Sequence, residues 1–539
     1  MSASGSWDWS AAAARVGATP DGRFNAGALT LPARAVTWVR VDGTQTTYTG
    51  AQMMRRAGEF ASVFAALGVR AGDRVAGLMN RRPANFAAAL GVWRVGAVYV
   101  PLFSGFGGEG LLARMLDCGP KLVVTDAANL PALAAVREKL PQLEVLVVDQ
   151  PGETGGGEAV LADMLRREPP AVEVVATGLH ETSTIMYTSG TTGRPKGCLI
   201  PHRAVVSLQP YIRHVLGLQA GEVLFSGADT GWSFGLYTTG LAPMSLGVTR
   251  VIYEGGFDAA AWWRALAASG AHHLAAAPTA FRQLAATGAE LVPAAFTAGT
   301  SAGEPLDAAT VDWFREHTGV TLVDSYGLSE LGMVIANLRT GGPAVAPGSM
   351  GGPIPGFEIA LLDPDGHPVT DGGPGRIAVR DNGFFLSNGY WERMPEWRAR
   401  FQGDWFLTED VAHRDEEGRY WYEGRSDDVI VAAGYNVGPV EVEAALMESS
   451  LVRDVACIGV PDPMKGSVVA IYVVVDGPPP EDLREQLRRW VGERVGWHAA
   501  PRLVVAVDNL PRTESGKLQR AVVRSWTLDS QPPERRSSP

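Results

Sequence analysis

Short β-rich runs alternate with amphipathic helical stretches from about residue 50 onward, and this alternation limits the possible folds more than any other feature of the chain. Strands are predicted at residues 74–79 and 97–102, with helices at residues 53–67 and 83–94 beside them. Regular alternation of this kind is typical of a wound, largely parallel sheet with helices packed on it. The sequence therefore predicts an α/β fold with a large N-terminal wound domain.

The pattern changes after Arg425, where a smaller unit is predicted. A strand at 429–431, a helix at 440–447, strands at 455–460 and 468–475 and a helix at 482–495 indicate a small, mobile α+β domain. The predicted division is an N-terminal domain at 1–426, a C-terminal domain at 427–528 and a polar, proline-rich, disordered tail at 529–539.

A ten-residue string rich in glycine, hydroxyls and cations follows the strand predicted at residues 183–187; it reads Thr188-Ser189-Gly190-Thr191-Thr192-Gly193-Arg194-Pro195-Lys196-Gly197. Glycines let successive N–H groups turn toward an anion, and the hydroxyls and cations add donors and charge. Pro195 stands where a Walker loop counted from Gly190 needs glycine, so the string is not a Walker loop. It suits binding of a polyphosphate at the carboxyl end of a strand, and the alternative is an ordinary polar surface loop.

Composition limits the kinds of molecule that the chain is expected to bind and the compartment in which it is expected to occur. The 539 residues carry a net charge of -11 with a pI of about 5.4, which argues against nucleic acid as a partner. Three scattered cysteines indicate a reducing compartment, and there is no run of eighteen apolar residues and no secretory signal. We therefore expect a cytoplasmic protein without a membrane span that acts on small molecules; it could form a homo-oligomer.

The ten-residue string resembles the phosphate-binding signature of the adenylate-forming superfamily, which includes acyl-CoA synthetases, peptide-synthetase adenylation domains and luciferases. Five further segments resemble the motifs of that superfamily in the required order: Gly303-Glu304-Pro305, Asp324-Ser325-Tyr326-Gly327-Leu328-Ser329-Glu330, Asp404-Trp405-Phe406-Leu407-Thr408-Glu409-Asp410, Gly424-Arg425-Ser426-Asp427-Asp428 and Pro511-Arg512-Thr513-Glu514-Ser515-Gly516-Lys517. The resemblance implies an enzyme that uses ATP and Mg²⁺, with CoA as co-substrate.

The resemblance also implies a role for each matching residue. Lys517 would act in adenylation and Glu330 would associate with Mg²⁺, while Arg194 and Lys196 would hold the phosphates together with the residues from Thr188 to Gly193. The remaining nucleotide contacts would come from the adenine turn Gly303, Glu304 and Pro305, from Asp324, Ser325, Tyr326 and Ser329, from Asp410 and Arg425 at the ribose, and from Asn436; Asp427 would be the hinge.

Four positions depart from the superfamily pattern. Asn436 stands where many acyl-CoA synthetases have arginine, so any contact to the AMP phosphate from this loop lacks charge. Leu328 replaces a common glutamine, Ser329 replaces threonine, and Glu409 replaces glycine. These departures leave the predicted enzyme class unchanged and are expected to alter rate or nucleotide geometry.

Gly327 bears on the size of the substrate, because acetate-specific members of the superfamily typically place a tryptophan at the corresponding position. A glycine would leave the acyl pocket open. Trp232, Phe234 and Tyr237 resemble the pocket-lining residues of short- and medium-chain synthetases and could line an apolar cavity. The alternative is that these rings belong to ordinary aromatic core.

The residues together predict an ATP-dependent acyl-CoA synthetase for a short- to medium-chain or aryl carboxylic acid, working through an acyl-adenylate and releasing AMP and pyrophosphate. A stand-alone adenylation enzyme that loads a carrier protein is the alternative within the superfamily. A catalytically silent, nucleotide-binding member is an alternative of another class, and the presence of Lys517, Glu330 and Asp410 argues against it. The sequence leaves open the length of the carboxylic acid and whether the acyl acceptor is CoA or a carrier protein.

Overall fold

A computed structural model describes residues 7–528 except 105, 107, 150–157, 189–194, 340–341, 371, 427, 429, 433–434, 463–465, 498 and 514–516. Within these residues the chain forms two large, mainly parallel sheets, an antiparallel sheet and a C-terminal mixed sheet. The predicted α/β class, a large wound region followed by a small α+β unit, is confirmed.

The first large sheet has seven strands and carries the alternation seen in the sequence. Its first six strands run parallel to one another, and the last runs antiparallel at the edge. In spatial order the strands are Ala159–Val160, Glu144–Val147, Leu122–Thr125, Arg74–Leu78, Val98–Leu102, Thr182–Thr188 and Lys196–Pro201. Strands Val98–Leu102 and Leu122–Thr125 are buried along their whole length because parallel sheets are covered on both faces.

The second large sheet has nine strands, whereas the sequence indicated one wound sheet. Six central strands are parallel, and antiparallel strands lie at both edges. In spatial order they are Gly352–Pro353, Gly332–Ala336, Leu322–Leu328, Ala298–Ala302, His273–Ala276, Val223–Ser226, Thr249–Tyr253, Val36–Val39 and Gln45–Tyr48. Val36–Val39 pairs on one side with Thr249–Tyr253, a strand from much later in the chain, and local periodicity cannot indicate that pairing.

Helices connect and cover these strands. Those of nine residues or more before residue 430 are Gly50–Ala66, Ala84–Arg94, Gly108–Cys118, Leu130–Lys139, Ala259–Ser269, Pro278–Ala286 and Ala308–Thr318. Side-chain hydrogen bonds cap the N-termini of several of these helices. Thr49 and Gln52 form a capping box, and the carboxylates of Asp258 and Asp307 each accept from the backbone amide three residues later. The predicted helices and strands of this region are confirmed to within a few residues.

An antiparallel sheet of five strands follows and carries the predicted ribose motif. Its strands are Ile359–Leu362, Gly375–Arg380, Trp405–Arg414, Phe401–Gln402 and Tyr420–Arg425. The long strand Trp405–Arg414 alternates buried and half-buried residues, as expected for a sheet with one face on the core. Asp410 and Arg425 lie opposite each other on neighbouring strands of this sheet.

The C-terminal unit has its own sheet and its own hydrophobic clusters. The sheet contains Tyr435–Val437, Ile430–Ala432, Gly466–Val474, Asp454–Asp462 and Leu503–Ala506, and the helices are Pro439–Met447, Leu483–Arg494 and Arg520–Leu528. Two clusters of buried apolar side chains lie wholly within residues 430–526. The division at residues 426–427 stays a prediction; Asp427 and the tail 529–539 lie outside the described residues.

Two smaller expectations can be compared with the structure. Cys118, Cys198 and Cys457 are buried and free of disulfide bonds, in line with small apolar core residues. In the part of the chain that the structure describes, the membrane-span criteria of length and hydrophobicity are met by none of the helices.

A buried ion-pair cluster in the C-terminal unit leads to the first prediction. Arg520 donates to Glu443 (2.5 Å) and lies 3.8 Å from Asp428, and all three side chains are largely buried. Substituting Arg520→Met leaves two buried carboxylates without this cation, so we expect the unit to lose about 3–5 kcal/mol of unfolding free energy. Native-state hydrogen exchange of strand Gly466–Val474 measures this loss.

Arg453→Met is the matched control, because the Arg453–Asp476 ion pair is exposed. It should change the unfolding free energy by no more than about 1 kcal/mol. Equal losses in the two variants would show that the Arg520 cluster is not a determinant of this unit's stability.

Candidate active site

A cavity with both polar and apolar lining lies at the carboxyl edge of the nine-stranded sheet. It is lined by Trp232, Ser233, Phe234, Thr238, Ala302, Gly303, Gly327, Leu328, Ser329, Gly332, Met333 and Leu386. The rings of Trp232 and Phe234 pack at 5.1 Å between centroids, and the hydroxyls of Ser233 and Ser329 lie 3.3 Å apart. The cavity therefore joins the predicted acyl-pocket residues to two predicted nucleotide motifs.

Gly327 lines this cavity, but the close approach of main chain also requires a glycine there. A Cβ atom at this position would lie 2.2 Å from the carbonyl oxygen of Gly332 on the neighbouring strand. The strand register shifts between Tyr326 and Gly327, which brings the two main chains together. A tryptophan at residue 327 would thus displace backbone as well as fill the pocket, so the expectation of a simple open wall is corrected.

Tyr237 does not line the cavity, which corrects the prediction for this ring. Its side chain is buried, its hydroxyl donates to Thr184 (2.8 Å), and its ring stacks on Trp93 at 5.9 Å. The chain forms a π-helical turn at Phe234–Leu241, so Phe234 and Thr238 face the cavity whereas Tyr237 turns into the core. Two of the three predicted aromatic side chains are therefore at the cavity.

The glycine-rich string connects two antiparallel strands of the seven-stranded sheet. Thr188 lies opposite Lys196 at the loop end of the Thr182–Thr188 and Lys196–Pro201 hairpin, and its hydroxyl donates to the carbonyl of Lys196 (3.4 Å). Ser189, Gly190, Thr191, Thr192, Gly193 and Arg194 lie outside the described residues. Their predicted phosphate contacts stay a prediction.

Lys196 and Glu330 meet around Tyr390, a residue to which the sequence assigned no role. The Tyr390 hydroxyl donates to Glu330 Oε1 (2.7 Å), and Lys196 Nζ lies 5.5 Å from the centre of the Tyr390 ring. Lys196 also pairs with Glu396 at 3.1 Å. A predicted phosphate-binding cation and a predicted Mg²⁺-associated carboxylate thus lie beside the same aromatic side chain.

The turn Gly303-Glu304-Pro305 follows strand Ala298–Ala302 and borders the cavity. Gly303 has φ +98°, and a Cβ there would lie 3.1 Å from the Trp232 ring, so glycine suits both the backbone and the contact. Glu304 is buried, accepts from Thr279 (2.9 Å) and lies 3.9 Å from Arg282. Burial raises the pKa of Glu304, although the neighbouring arginines oppose this shift.

Asp324 and Ser325 lie on the next parallel strand, beside that turn. The Ser325 hydroxyl donates to the carbonyl of Ser301 (2.6 Å), and the amide of Leu306 donates to Asp324 Oδ2 (3.4 Å). Asp324 Oδ1 and Glu304 Oε1 are both buried without a hydrogen-bond partner among the described residues. Buried polar atoms without a hydrogen-bond partner beside a cavity suit a ligand that brings polar groups of its own, such as a purine base.

Asp410 is held by two tyrosine hydroxyls. Tyr326 donates to one of its carboxylate oxygens (2.6 Å) and Tyr422 to the other (2.9 Å). Burial and the Asp410 charge raise the pKa of both tyrosines, so both hydroxyls stay protonated and act as donors. Arg425, opposite Asp410 in the sheet, pairs with Glu409 instead.

The loop that carries Lys517 follows Arg512, whose side chain lies near the predicted adenine turn. Arg512 and Leu518 form a β-bridge at the base of this loop, and the amide of Lys517 donates to the Thr513 hydroxyl (3.0 Å). One terminal nitrogen of Arg512 donates to both carboxylate oxygens of Asp454 (2.8 and 2.9 Å), and Arg512 lies 3.9 Å from Glu304. The exposed Lys517 is therefore carried on a loop that touches the N-terminal site through Arg512.

Comparison with known protein families identifies the family of this chain. Residues 26–391 match the AMP-binding enzyme family, and residues 441–517 match the AMP-binding enzyme C-terminal domain. The chain belongs to the AMP-binding enzyme family. The predicted resemblance to adenylate-forming acyl-CoA synthetases is thereby confirmed.

Individual members of the AMP-binding family are similar to this chain over most of their length. An acetyl-coenzyme A synthetase of Bacillus subtilis (strain 168) is 32% identical, covering 89% of this chain and 85% of the relative. The mitochondrial acyl-coenzyme A synthetase ACSM3 of Rattus norvegicus is 30% identical, covering 91% and 86%. The predicted enzyme class, an AMP-forming acid–thiol ligase, is confirmed by these relatives.

Solved structures of the family agree with the fold. The anthranilate CoA ligase AuaEII in complex with anthranoyl-AMP has a TM-score of 0.85 at 27% identity, covering 94% of this chain and 97% of that one. A benzoate CoA ligase from Burkholderia xenovorans LB400 has a TM-score of 0.82 at 28% identity, covering 93% and 100%.

Several residues at the site of this AMP-binding enzyme could not be found from the sequence. Tyr390 contacts Glu330 from 60 residues away, and Glu396, Tyr422 and Arg512 likewise contact predicted site residues across the fold. Arg512 belongs to the lysine motif, so its position in that motif was the one available signal. Asn436 belongs to strand Tyr435–Val437, and the predicted hinge Asp427 lies outside the described residues.

The buried Asp324 carboxyl leads to a pH prediction. Burial raises its pKa from 3.8 to about 8, so the folded protein binds a proton there that the unfolded chain has lost above pH 4. The associated stability is fully present below pH 4 and is lost as the pH rises toward 8. Because one pKa unit corresponds to about 1.4 kcal/mol, Asp324→Asn should retain at least about 2 kcal/mol that wild type loses between pH 5 and pH 8.

Calorimetric melting temperatures across this pH range, compared between wild type and variant, measure the difference. Asp312→Asn is the control, because Asp312 lies on an exposed helix face beside Arg315. Parallel pH profiles for wild type and Asp324→Asn would contradict the raised pKa.

Proposed function

We propose that this ligase activates a short- to medium-chain or aryl carboxylic acid as an acyl-adenylate and transfers the acyl group to CoA. In the first step a carboxylate oxygen attacks the α-phosphorus of ATP and pyrophosphate leaves. In the second step the CoA sulfur, after losing its proton, attacks the acyl carbonyl carbon and AMP leaves. AMP is a better leaving group than the oxygen of an unactivated carboxylate, so the carboxylate is joined to AMP before the CoA sulfur attacks.

The observation that carries this proposal is the position of the cavity beside the nucleotide motifs. Its apolar side chains include Trp232, Phe234, Met333 and Leu386, and the same cavity is bordered by Gly303 and Ser329. Each methylene group that a substrate buries there contributes about 0.8 kcal/mol. An apolar acid placed in the cavity would therefore present its carboxylate next to the nucleotide.

Charge near the reacting groups supports adenylation, which brings two anions together. Lys196 and Lys517 supply cations from the two parts of the chain, and Arg194 of the glycine-rich string would add a third. Glu330 could hold Mg²⁺, because its carboxylate is half-exposed and Tyr390 engages one of its oxygens. When bound, Mg²⁺ would neutralise phosphate charge.

The remaining residues would orient the nucleotide and the acceptor. Asp410 and Arg425 would bind the ribose hydroxyls, and Asn436 would add an uncharged donor near the phosphate. A backbone rotation at Asp427 would replace the Lys517 face of the C-terminal unit by another face that admits CoA. Each of these roles follows from the family motifs.

The test is a panel of acids from acetate to decanoate plus benzoate, assayed for AMP release with ATP in the presence and absence of CoA. We expect CoA-dependent AMP release and an acyl-CoA product, with an optimum at two carbons or more. Acyl-adenylate formation without any thioester would favour the alternative, loading of a carrier protein. ATP–pyrophosphate exchange that is absent for every acid would contradict both.

Lys517→Ala should abolish adenylation and spare the second step. Its ammonium group is needed while carboxylate meets α-phosphate, and loss of one such group typically costs about 10²–10³ in rate. The measurement compares ATP–pyrophosphate exchange with thioester formation from a supplied acyl-adenylate. Lys139→Ala, at the exposed end of a distant helix, is the control, and equal loss of both half-reactions would refute the role.

Two substitutions in the cavity should change chain-length preference in opposite directions. Ala302→Val narrows the cavity, and overpacking by a longer acid should cost about 1–3 kcal/mol, a tenfold to hundredfold loss of kcat/KM for hexanoate. Met333→Ala enlarges the cavity and should favour longer acids over acetate. Substitution at Gly327 is avoided because any side chain there meets the main chain.

The measured quantity is the ratio of kcat/KM for hexanoate and acetate, with melting temperatures recorded for each variant. Met350→Ala is the control, because Met350 is buried in the core away from the cavity lining. A ratio unchanged in both cavity variants would show that this cavity does not hold the acyl chain.

A further inference from the structure

A second cavity is lined by residues from both large sheets and shares no lining residue with the first. Among the described residues, three arginines line it. Arg81 and Arg82 follow a strand of the seven-stranded sheet, and Arg250 lies on strand Thr249–Tyr253 of the nine-stranded sheet. The volume open to the centre of a water-sized sphere is about 10 Å³, which is the space that about one such particle needs. The cavity therefore suits a very small ligand.

Arg250 is the most deeply buried of these arginines, with 2% of its surface exposed. Its guanidinium donates to the backbone carbonyls of Ser226 (2.8 Å), Val251 and Ala228 (3.5 Å). Carbonyl groups offer partial negative charge, but they do not supply a counter-ion. Within the described part of the chain, Arg250 forms no salt bridge with a carboxylate. It is thus a buried cation without an ion-pair partner there.

The other two arginines of the cavity have carboxylate partners. Arg81 lies 3.7 Å from Asp229. Arg82 lies 2.9 Å from Asp149 and 3.3 Å from Asp126. The charges of these two arginines are therefore offset by the chain itself, and one positive charge, that of the third arginine, is left over at the cavity.

The Arg250 side chain remains a cation at neutral pH. Burial, and to a smaller degree the positive charge of Arg81, lowers its pKa from 12.5 to about 9. A buried charge without a partner is unfavourable, because little water can solvate it. An anion beside Arg250 would offset this cost.

Two guanidinium N–H groups at the cavity also lack an acceptor. Nε of Arg82 and Nε of Arg250 are both buried and have no hydrogen-bond partner among the described residues. They come from different sheets, and both side chains line the same cavity. Because buried donors are nearly always paired in native proteins, a ligand that accepts from both is expected. A water molecule could accept these bonds but would leave the charge of Arg250 without a partner.

Charge and size together select the kind of anion. One positive charge without a partner calls for one negative charge, and the cavity has room for little more than one atom. Phosphate and carboxylate groups are larger, and phosphate would bring a second negative charge near Asp126 and Asp229. A halide ion meets both conditions, and chloride is the halide that ordinary aqueous solutions contain.

We propose that this cavity is a chloride site in which the anion accepts from Arg82 and Arg250 and anchors the loop 228–232. Arg250 links the anion to the loop, since it donates to the carbonyls of Ser226 and Ala228 where the loop begins. The loop ends at Trp232, whose side chain lines the first cavity. Chloride thus fixes one wall of the proposed acyl pocket. The site itself does not depend on the proposed function.

Melting temperatures in sodium chloride and in sodium gluconate at the same ionic strength test binding in solution. Gluconate is too large for the cavity, and equal ionic strength removes differences in general screening. We expect wild type to melt about 2–4 °C higher in chloride, with saturation, because a ligand that binds the folded protein stabilises it. Bromide should act like chloride.

Two substitutions should abolish this response by different routes. Arg250→Met removes the buried charge. Ala228→Val keeps that charge and fills the cavity, which Ala228 lines. The second variant keeps the test decisive if the first one fails to fold.

Arg203→Met is the matched control for removal of a buried arginine. Arg203 is buried, donates to the carbonyl of Gly383 (3.0 Å) and lines neither cavity. Burial lowers its pKa as well, to about 10. Arg203→Met should melt at a lower temperature than wild type but keep the full difference between chloride and gluconate.

Two further measurements locate the ion and its effect on the loop. Anomalous scattering from a crystal grown in sodium bromide should show a peak between Arg82 and Arg250. Hydrogen exchange of residues 227–233 should be slowed at least about threefold by chloride in wild type, and it should be unaffected by chloride in Ala228→Val.

Each result bears on a separate claim. A wild type that melts at the same temperature in both salts, or variants that keep the wild-type difference, would overturn the site. A bromide peak without any effect in solution would indicate an adventitious ion only and would overturn it as well. Chloride binding with unchanged exchange of residues 227–233 would overturn the anchoring of the loop. The acid panel tests the proposed function separately from all of these measurements.

Discussion

Main-chain pairing between the parallel strands Ala298–Ala302 and Leu322–Leu328 is the constraint on which the site depends. The register puts Ser301 opposite Asp324 and Ala302 opposite Ser325. Because parallel strands end at the same edge of a sheet, the turn at Gly303 and the segment from Tyr326 to Glu330 leave the sheet side by side. The cavity, the two buried carboxylates and the Arg512 contact all assemble around this pair of strand ends.

Carboxylates at this edge are satisfied in two distinct ways. Glu304 and Glu409 face arginines, as partly or fully buried anions in proteins generally must. Asp410 accepts from tyrosine hydroxyls, and Glu330 accepts from another tyrosine. The ion pairs fix Glu304 and Glu409 in the structure, whereas the tyrosine hydroxyls leave lone pairs of Asp410 and Glu330 available to a ligand.

The helices and strands that local pattern indicated are found close to their predicted bounds, because each buries one face or a continuous apolar run. Three features of the site depend on tertiary structure. Tyr237 turns into the core through a π-helical turn, and Gly327 faces a carbonyl on a neighbouring strand. Tyr390 reaches Glu330 from 60 residues away, and no local signal marks such a contact.

The sequence by itself determined the fold class, the order of the motifs and the membership of the AMP-binding family, because these depend on periodicity and on residue types at short spacing. The tertiary structure alone decided which partners each charged group has. Arg425 precedes the predicted hinge in the chain, yet its guanidinium is bound by Glu409 on the adjacent strand. Strand pairing and burial set such contacts, since they determine which opposite charge is nearest once water is excluded.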